Sequence, residues 1–227
     1  MIDGDNHVPG WGTVLTIEDR RPKVGAGDAA ARMATIEVRT ETISDPPEEW
    51  ETAAITQAQS GDESAYRRLV EHYQQAIANW MWRFTRDRRQ LEELVHDTFV
   101  EAYFSLKSFR QSGPLLHWLR KIATRVGYKF WKQESKRRQT KELSPADWQD
   151  LRQASDAQTP DTETKELVHR ALAQLPPRDR LVLTLMYIDE LPTERVAELT
   201  GWSRVMVKVQ AFRARAKLKK LLDKYEF

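Results

Sequence analysis

The sequence has no cysteine in its 227 residues, so disulfides, thiolate zinc sites, iron–sulfur clusters and cysteine nucleophiles are all excluded. It also lacks any run of the ~18 apolar residues that a membrane helix needs. Its opening, MIDGDNHVPGWG, has neither the basic start nor the apolar stretch of a secretory signal. The chain therefore reads as cytoplasmic, with no membrane insertion. Internal repeats are absent as well. What is present is 31% charged residues beside 40% hydrophobic ones, including eight tryptophans, enough apolar material for packed cores.

Net charge is the least informative number until it is divided along the chain. Thirty-six bases against 34 acids give +2. Residues 1–58 carry −6, residues 59–142 carry +7, residues 143–166 carry −4 and residues 167–227 carry +5. Two basic blocks are hidden by two acidic ones. Hydrophobic pattern divides the chain at the same places, and it is helical throughout both basic blocks, with no strand alternation. The expected fold is all-α: two small helical domains, over residues 53–142 and 165–227, joined by a flexible acidic linker over 143–164. The Ser, Thr, Asp, Gln and Pro of that linker suit a tether. Residues 1–52 read as a mostly disordered extension, within which Met33 is a second candidate start that intact-mass measurement decides.

The C-terminal block has the most specific pattern. Leu181, Leu185 and Ile188, with Val182 and Met186, predict an amphipathic helix over 178–188. Pro192 and Glu194 suit a new helix start, and Gly201 suits the left-handed turn that ends it at Thr200. Ser203 then caps a third helix with apolar positions Val207, Ala211, Ala214, Leu218 and Leu221. That is a helix-turn-helix. Between Ser203 and Lys220 the third helix has seven bases and no acid: Arg204, Lys208, Arg213, Arg215, Lys217, Lys219 and Lys220. A helix of this charge at this place suits the major groove, with bases holding phosphates. Met206 and Val207 near its start are candidates for apolar contact with thymine methyls or, for Val207, for the core.

In the central block, Glu92, Glu93, Asp97 and Glu101 accompany the apolar Leu94, Val95, Phe99, Val100 and Phe104 on one predicted helix. With His96 they could form a metal-dependent hydrolytic site, but no second cluster supports it, and the acids read better as a docking surface. Ser108–Gly113 reads as a loop, and Pro114 starts a further helix that buries Leu115, Leu119, Ile122, Val126 and Phe130. Its other side offers Lys121, Arg125, Tyr128 and Lys132, with Trp118, Lys129 and Trp131 nearby. Cations that follow a backbone and rings that stack on bases suit single-stranded nucleic acid; Trp118 reads equally as a core aromatic, and Trp131 reads rather as a stacking ring than as core.

Taken in order, these blocks closely resemble a bacterial RNA polymerase sigma factor of the extracytoplasmic-function type. GDESAYRRLVEHY, LEELVHDTFVEAYFSL and LLHWLRKIA resemble the family's second conserved region, and LPPRDRLVLTLMYIDELPTERVAELTG with VKVQAFRARAKLKKLL its fourth, over residues 55–142 and 165–223. The resemblance implies a dissociable specificity subunit with core RNA polymerase and promoter DNA as partners, an anti-sigma factor as a further one, and no cofactor, metal or catalytic residue. It implies that Glu92, Glu93, Leu94, Asp97 and Phe99 meet the clamp helices of the polymerase. Phe109, Arg110 and Gln111 would capture a flipped base of the minus-ten element. Trp118, Lys121, Arg125, Tyr128, Lys129, Trp131 and Lys132 would melt and read that element. Ser203, Arg204, Met206, Lys208, Phe212, Arg213 and Arg215 would read the minus-35 element. Arg125 and Lys129 stand where the family usually has Asn and Asp, and Met206, Val209 and Gln210 where it has Thr, Ser and Arg. The runner-up reading is a stand-alone helix-turn-helix regulator, which leaves the central aromatic and acidic helices without a role.

Overall fold

The computed structural model describes residues 49–140, 168 and 171–224, and these form helices and turns with no strand among them. The expected linker and residues 1–48 lie outside the described residues.

Helix starts follow from side chains that accept the unpaired N–H groups of a first turn. Asp62 opens α2 (Glu63–Met81) by accepting from the N–H groups of Ser64 and Ala65. The hydrogen bond from the Ser64 hydroxyl, then that from the Ala65 N–H, holds the Asp62 carboxyl below its usual value. Asp87 opens α3 (Arg88–Ser105) through the N–H of Gln90 at 2.9 Å. Ahead of both lies α1 (Glu49–Gln59). It begins four residues before the expected domain boundary at 53, because Glu51 is buried and accepts from the Tyr73 hydroxyl at 2.7 Å. A 3-10 turn over Leu106–Ser108 ends α3, and α4 (Leu115–Thr140) follows Pro114.

Helix α2 is central to this first module and packs on α1, α3 and α4. Tyr66, Leu69, Val70, Tyr73, Ile77, Trp80 and Met81 are its buried face. On α4, Leu115, Leu119, Ile122 and Val126 are buried as expected. At the far end the buried aromatic is Trp131, while Phe130 is half-buried in a groove between α3 and α4. The reason lies in the turn after α2: the Trp131 indole N–H donates to the Phe84 carbonyl at 2.7 Å, and the two rings pack with centroids 4.7 Å apart.

The C-terminal module consists of α5 (Pro177–Leu183), α6 (Thr193–Thr200) and α7 (Arg204–Lys224). The predicted single helix over 178–188 instead changes to a π-helical turn at Thr184–Ile188, closed by the Asp189 N–H on the Thr184 carbonyl. Gly201 ends α6 with φ 72°, as its position required, and Ser203 caps α7 through the Met206 N–H at 3.2 Å. Val207, Ala211 and Ala214 are buried, and Leu218 and Leu221 half-buried. The carboxylate of Asp179, itself buried, accepts from Gln210 and, at 2.6 Å, from Lys217, which fixes the rotation of α7 against α5.

Gly127 lets Phe84 reach the α4 backbone. A Cβ at position 127 would lie 2.4 Å from the buried Phe84 ring, so the ring or the helix must shift to admit it. Gly127→Ala gains about 1 kcal/mol of helix propensity but overpacks a core site at a cost of about 1–3 kcal/mol. The expected net result is a lower midpoint in urea or thermal unfolding, and an unchanged or raised midpoint would contradict this packing.

Candidate nucleic-acid interface

Three exposed surfaces carry the charged residues that the sequence singled out. The first is on α3. Glu93 and Asp97 are exposed, and Glu92 is half-exposed, whereas Leu94 (5% exposed) and Phe99 (2%) lie in the core. The two apolar residues therefore hold the helix in place, and Glu93, Asp97 and Glu101 form a ridge that borders the groove toward α4, while Glu92 lies half a turn round the helix from Glu101. Glu92 and Glu93 pair with Arg88 at 3.2 Å and Arg89 at 3.6 Å, one turn earlier on the same helix. Among the described residues no group of three or more His, Asp or Glu side chains is arranged to hold a metal ion. Phe104 continues the ridge and is 52% exposed. In sequence it is one apolar residue among several on this helix; its spacing of seven from Asp97 is the signal that places it on the acidic side.

The second surface is the outer arc of α4. Lys121, Arg125, Lys129 and Lys132 are exposed on it, and Tyr128 and Trp118 are half-buried along it. Lys132 lies 5.8 Å from the Tyr128 ring centroid, so cation and ring are presented together. Arg125 is tied to Glu101 of α3 at 3.3 Å, and Lys129 borders the groove with Glu93 and Asp97. Trp131 is not part of the arc. It is 3% exposed and lies beside the arc against the C-terminal module, whose Arg180 stacks 4.0 Å over its ring.

Beside this arc, the loop before α4 is tightly held. Gln59 donates through one amide nitrogen to the carbonyls of Leu106 (3.0 Å) and Phe109 (2.7 Å). Phe109 is buried and packs on Trp118 with centroids 5.1 Å apart, while Arg110 and Gln111 project outward. Gln111 has φ 53°, a left-handed conformation that costs a residue with a Cβ roughly 1–2 kcal/mol. Contacts with α1 at 3.5 Å, to Thr56 and Gln59, accompany it. Gln59 carries no signal within its own stretch of sequence, because its role depends on carbonyls 47 and 50 residues away.

The third surface is the solvent side of α7, where Ser203, Arg204, Lys208, Phe212, Arg213 and Arg215 are exposed. Met206 is half-buried, with its sulfur 3.5 Å from Arg178. Gln210 faces inward to Asp179.

The two modules touch through α4, which packs on α5 and α6. Arg83 donates to Asp189 at 2.7 Å, with both side chains largely buried, and its guanidinium stacks 3.4 Å over Trp80. Tyr128 meets Trp202 edge-on. Burial lowers Arg83 to about 10, with Asp189 acting against that shift, and burial raises Asp189, with Arg83 acting against it. Each partner is shifted toward its neutral form, so desolvation outweighs attraction in this pair. A carboxyl raised in the packed state stabilises that state most below its ordinary value of 3.8 and loses the contribution as pH rises through the raised value. The contribution of Asp189 to the contact between modules therefore falls as pH rises.

The family pattern described as "Sigma-70 region 2" matches residues 69–137, and that described as "Sigma-70, region 4" matches residues 165–218. The chain is similar to the ECF RNA polymerase sigma-E factor of Haemophilus influenzae, 26% identical over 171 residues that span 72% of this chain and 90% of that protein. It is similar to the RNA polymerase sigma factor YlaC of Bacillus subtilis, 31% identical over 158 residues that span 69% of this chain and 91% of the relative. Among solved structures, CnrH in complex with the cytosolic domain of CnrY overlaps it with a TM-score of 0.48 at 24% identity, over 78% of this chain and 99% of that one.

Breaking one half of a buried pair leaves a bare charge, whereas replacing both halves removes the desolvation cost. Asp189→Leu is expected to speed amide hydrogen exchange in α6 by loosening the contact between modules, and Arg83→Met with Asp189→Leu to restore or exceed the original protection. Equal exchange in the single and double variants would contradict this account.

Proposed function

The chain belongs to the sigma-70 family of RNA polymerase sigma factors, within the extracytoplasmic-function group, and from that membership we propose how its surfaces divide the work of promoter recognition. It is a sigma factor that acts with core RNA polymerase to direct transcription initiation. Sigma factors are not enzymes, and no side chain here is assigned to catalysis. The observation that carries the division is the occurrence, in chain order, of an acidic ridge on α3, a cationic and aromatic arc on α4, and an acid-free basic face on α7.

Glu92, Glu93 and Asp97, with Phe104 beside them, dock on the polymerase, and buried Leu94 and Phe99 hold that ridge in position. Lys121, Arg125, Tyr128, Lys129 and Lys132 track the melted strand of the minus-ten element, with Trp118 at the edge of the arc and Trp131 supporting it from within. Arg110 and Gln111 present the base-capturing loop, and Phe109 anchors it. A stack on an exposed ring is worth roughly 1–3 kcal/mol per base, comparable to the cost of taking a base out of the duplex. On α7, Arg204, Lys208, Phe212, Arg213 and Arg215 face the minus-35 duplex, where Ser203 caps the helix and Met206 is partly shielded. The same membership makes an anti-sigma factor a candidate third partner, competing for these surfaces. Among the described residues no helix is long and apolar enough to cross a membrane, and we place the protein in the cytoplasm with its polymerase.

Two promoter elements named for positions about 25 base pairs apart are separated by roughly 85 Å at 3.4 Å per pair. The chain between Thr140 and Ala171 can reach at most about 100 Å. The contact between modules therefore opens on a promoter, and the desolvation cost of the buried Arg83–Asp189 pair suits that step. The stand-alone regulator is less favoured because it leaves the α3 ridge and α4 arc idle.

Adding the protein to core polymerase on a library of genomic fragments is expected to yield run-off transcripts from a defined subset of fragments. Replacing Lys121, Arg125 and Lys132 together by Ala should leave polymerase association intact and slow strand opening about tenfold or more. Lys208→Ala should instead weaken closed-complex binding and reduce its salt dependence by about one counterion. Transcription that is indifferent to the protein, or the same defect from both sets of variants, would contradict the division.

A further inference from the structure

The line of α7 that projects furthest from the module is apolar. Val205 (72% exposed), Val209 (43%) and Phe212 (68%) recur at spacings of four and three, the same spacing that places residues on one helix face. They lie opposite the buried Val207, Ala211 and Ala214. Exposed cations flank the line: Arg204, Lys208 and Arg215 on one side and Arg213 on the other. Polar side chains able to read a base edge are scarce at the tip. Gln210 is turned inward to Asp179, and Lys217 is bound to the same carboxylate. An apolar ridge bordered by cations, on a helix with no acid from Arg204 to Leu222, is complementary to a polyanion that itself presents apolar groups.

We propose that Val205 and Val209 are specificity-determining residues that read thymine C5-methyl groups in the major groove of the upstream promoter element. The inference rests on the sigma-factor reading and gives it a specific ligand chemistry. The C5-methyl of thymine is the one apolar group on the floor of the major groove. The flanking cations reach the phosphates on either side, which positions the ridge without reading sequence. Along the helix, Val205 and Val209 are about 6 Å apart at 1.5 Å per residue, close to two base steps. The element is therefore expected to present thymines on neighbouring or next-neighbouring steps. Phe212, a turn further on, lies over the edge of the groove beside Arg213.

The test uses full-length protein bound to core polymerase. Upstream elements are selected from randomised duplexes by binding to this complex, and the selected duplexes are rebuilt with deoxyuridine in place of thymidine, which removes only the methyl group. Affinity is expected to fall about fourfold for each methyl contacted. The Val205→Ala, Val209→Ala double variant should lose this sensitivity, and its unfolding midpoint, set by a buried core it does not touch, should be unchanged. Lys208→Ala should bind more weakly to both duplexes and keep the sensitivity. Equal affinity for thymidine and deoxyuridine duplexes would overturn the inference and assign the ridge to a protein partner, leaving the sigma-factor reading in place. Undiminished methyl sensitivity in the double variant would overturn the assignment to these two residues. Failure of the complex to select any sequence would count against the sigma-factor reading itself, and the inference would fall with it.

Discussion

Phe84 against Gly127 is the contact on which the rest of the arrangement depends. The Phe84 ring lies on the α4 backbone because position 127 has no side chain, and its carbonyl receives the indole N–H of Trp131. That sets where α4 crosses α2, and with it the direction in which Lys121, Arg125, Tyr128 and Lys132 face. One residue earlier, Arg83 stacks on Trp80 and reaches Asp189 of the second module. The short segment at the end of α2 thus orients the α4 arc and seats the C-terminal module.

Two kinds of electrostatics coexist in this chain. On the exposed arcs of α4 and α7, cations remain hydrated and are available to phosphates, where counterion release makes binding salt-dependent. Between the modules, Arg83 and Asp189 are buried, and each is displaced toward its neutral form because hydration is lost faster than attraction is gained. In the proposed division the exposed cations act on DNA, whereas the buried pair costs more in lost hydration than it returns in attraction. Both push in the same direction once polymerase holds the chain beside a promoter, where effective concentration rather than intrinsic affinity governs each module.

Much of this was legible in the sequence, and the parts that were not share a cause. The helix-turn-helix was readable because Gly201, Ser203 and the spacing of Val207, Ala211 and Ala214 act within a few residues of one another. Pro114 and the α4 stripe were readable for the same reason. Trp131 was ambiguous, since an indole between Phe130 and Lys132 looks the same whether it stacks on a base or on Arg180. The Phe84 carbonyl, 47 residues away, decides the matter. Gln59 and the start of α1 depend on similarly distant partners. The π-turn at Thr184–Ile188 leaves no periodic trace because it shifts the pattern by a single residue. Val205 carries no sign in the sequence, since valine in a helical pattern is ordinarily core, and Val209 is marked there only as a departure from the family's usual residue. The capture of Gln210 and Lys217 by Asp179 sets the helix phase that exposes them.

The central claim is that this chain converts core polymerase into an enzyme complex that opens specific promoters. Permanganate oxidation of unstacked thymines tests that claim most directly, on genomic fragments incubated with core polymerase in the presence and absence of the protein. The account predicts reactive thymines confined to the minus-ten region of a subset of fragments, appearing only when both components are present. Double-stranded, unreactive DNA on every fragment with both components present would contradict it.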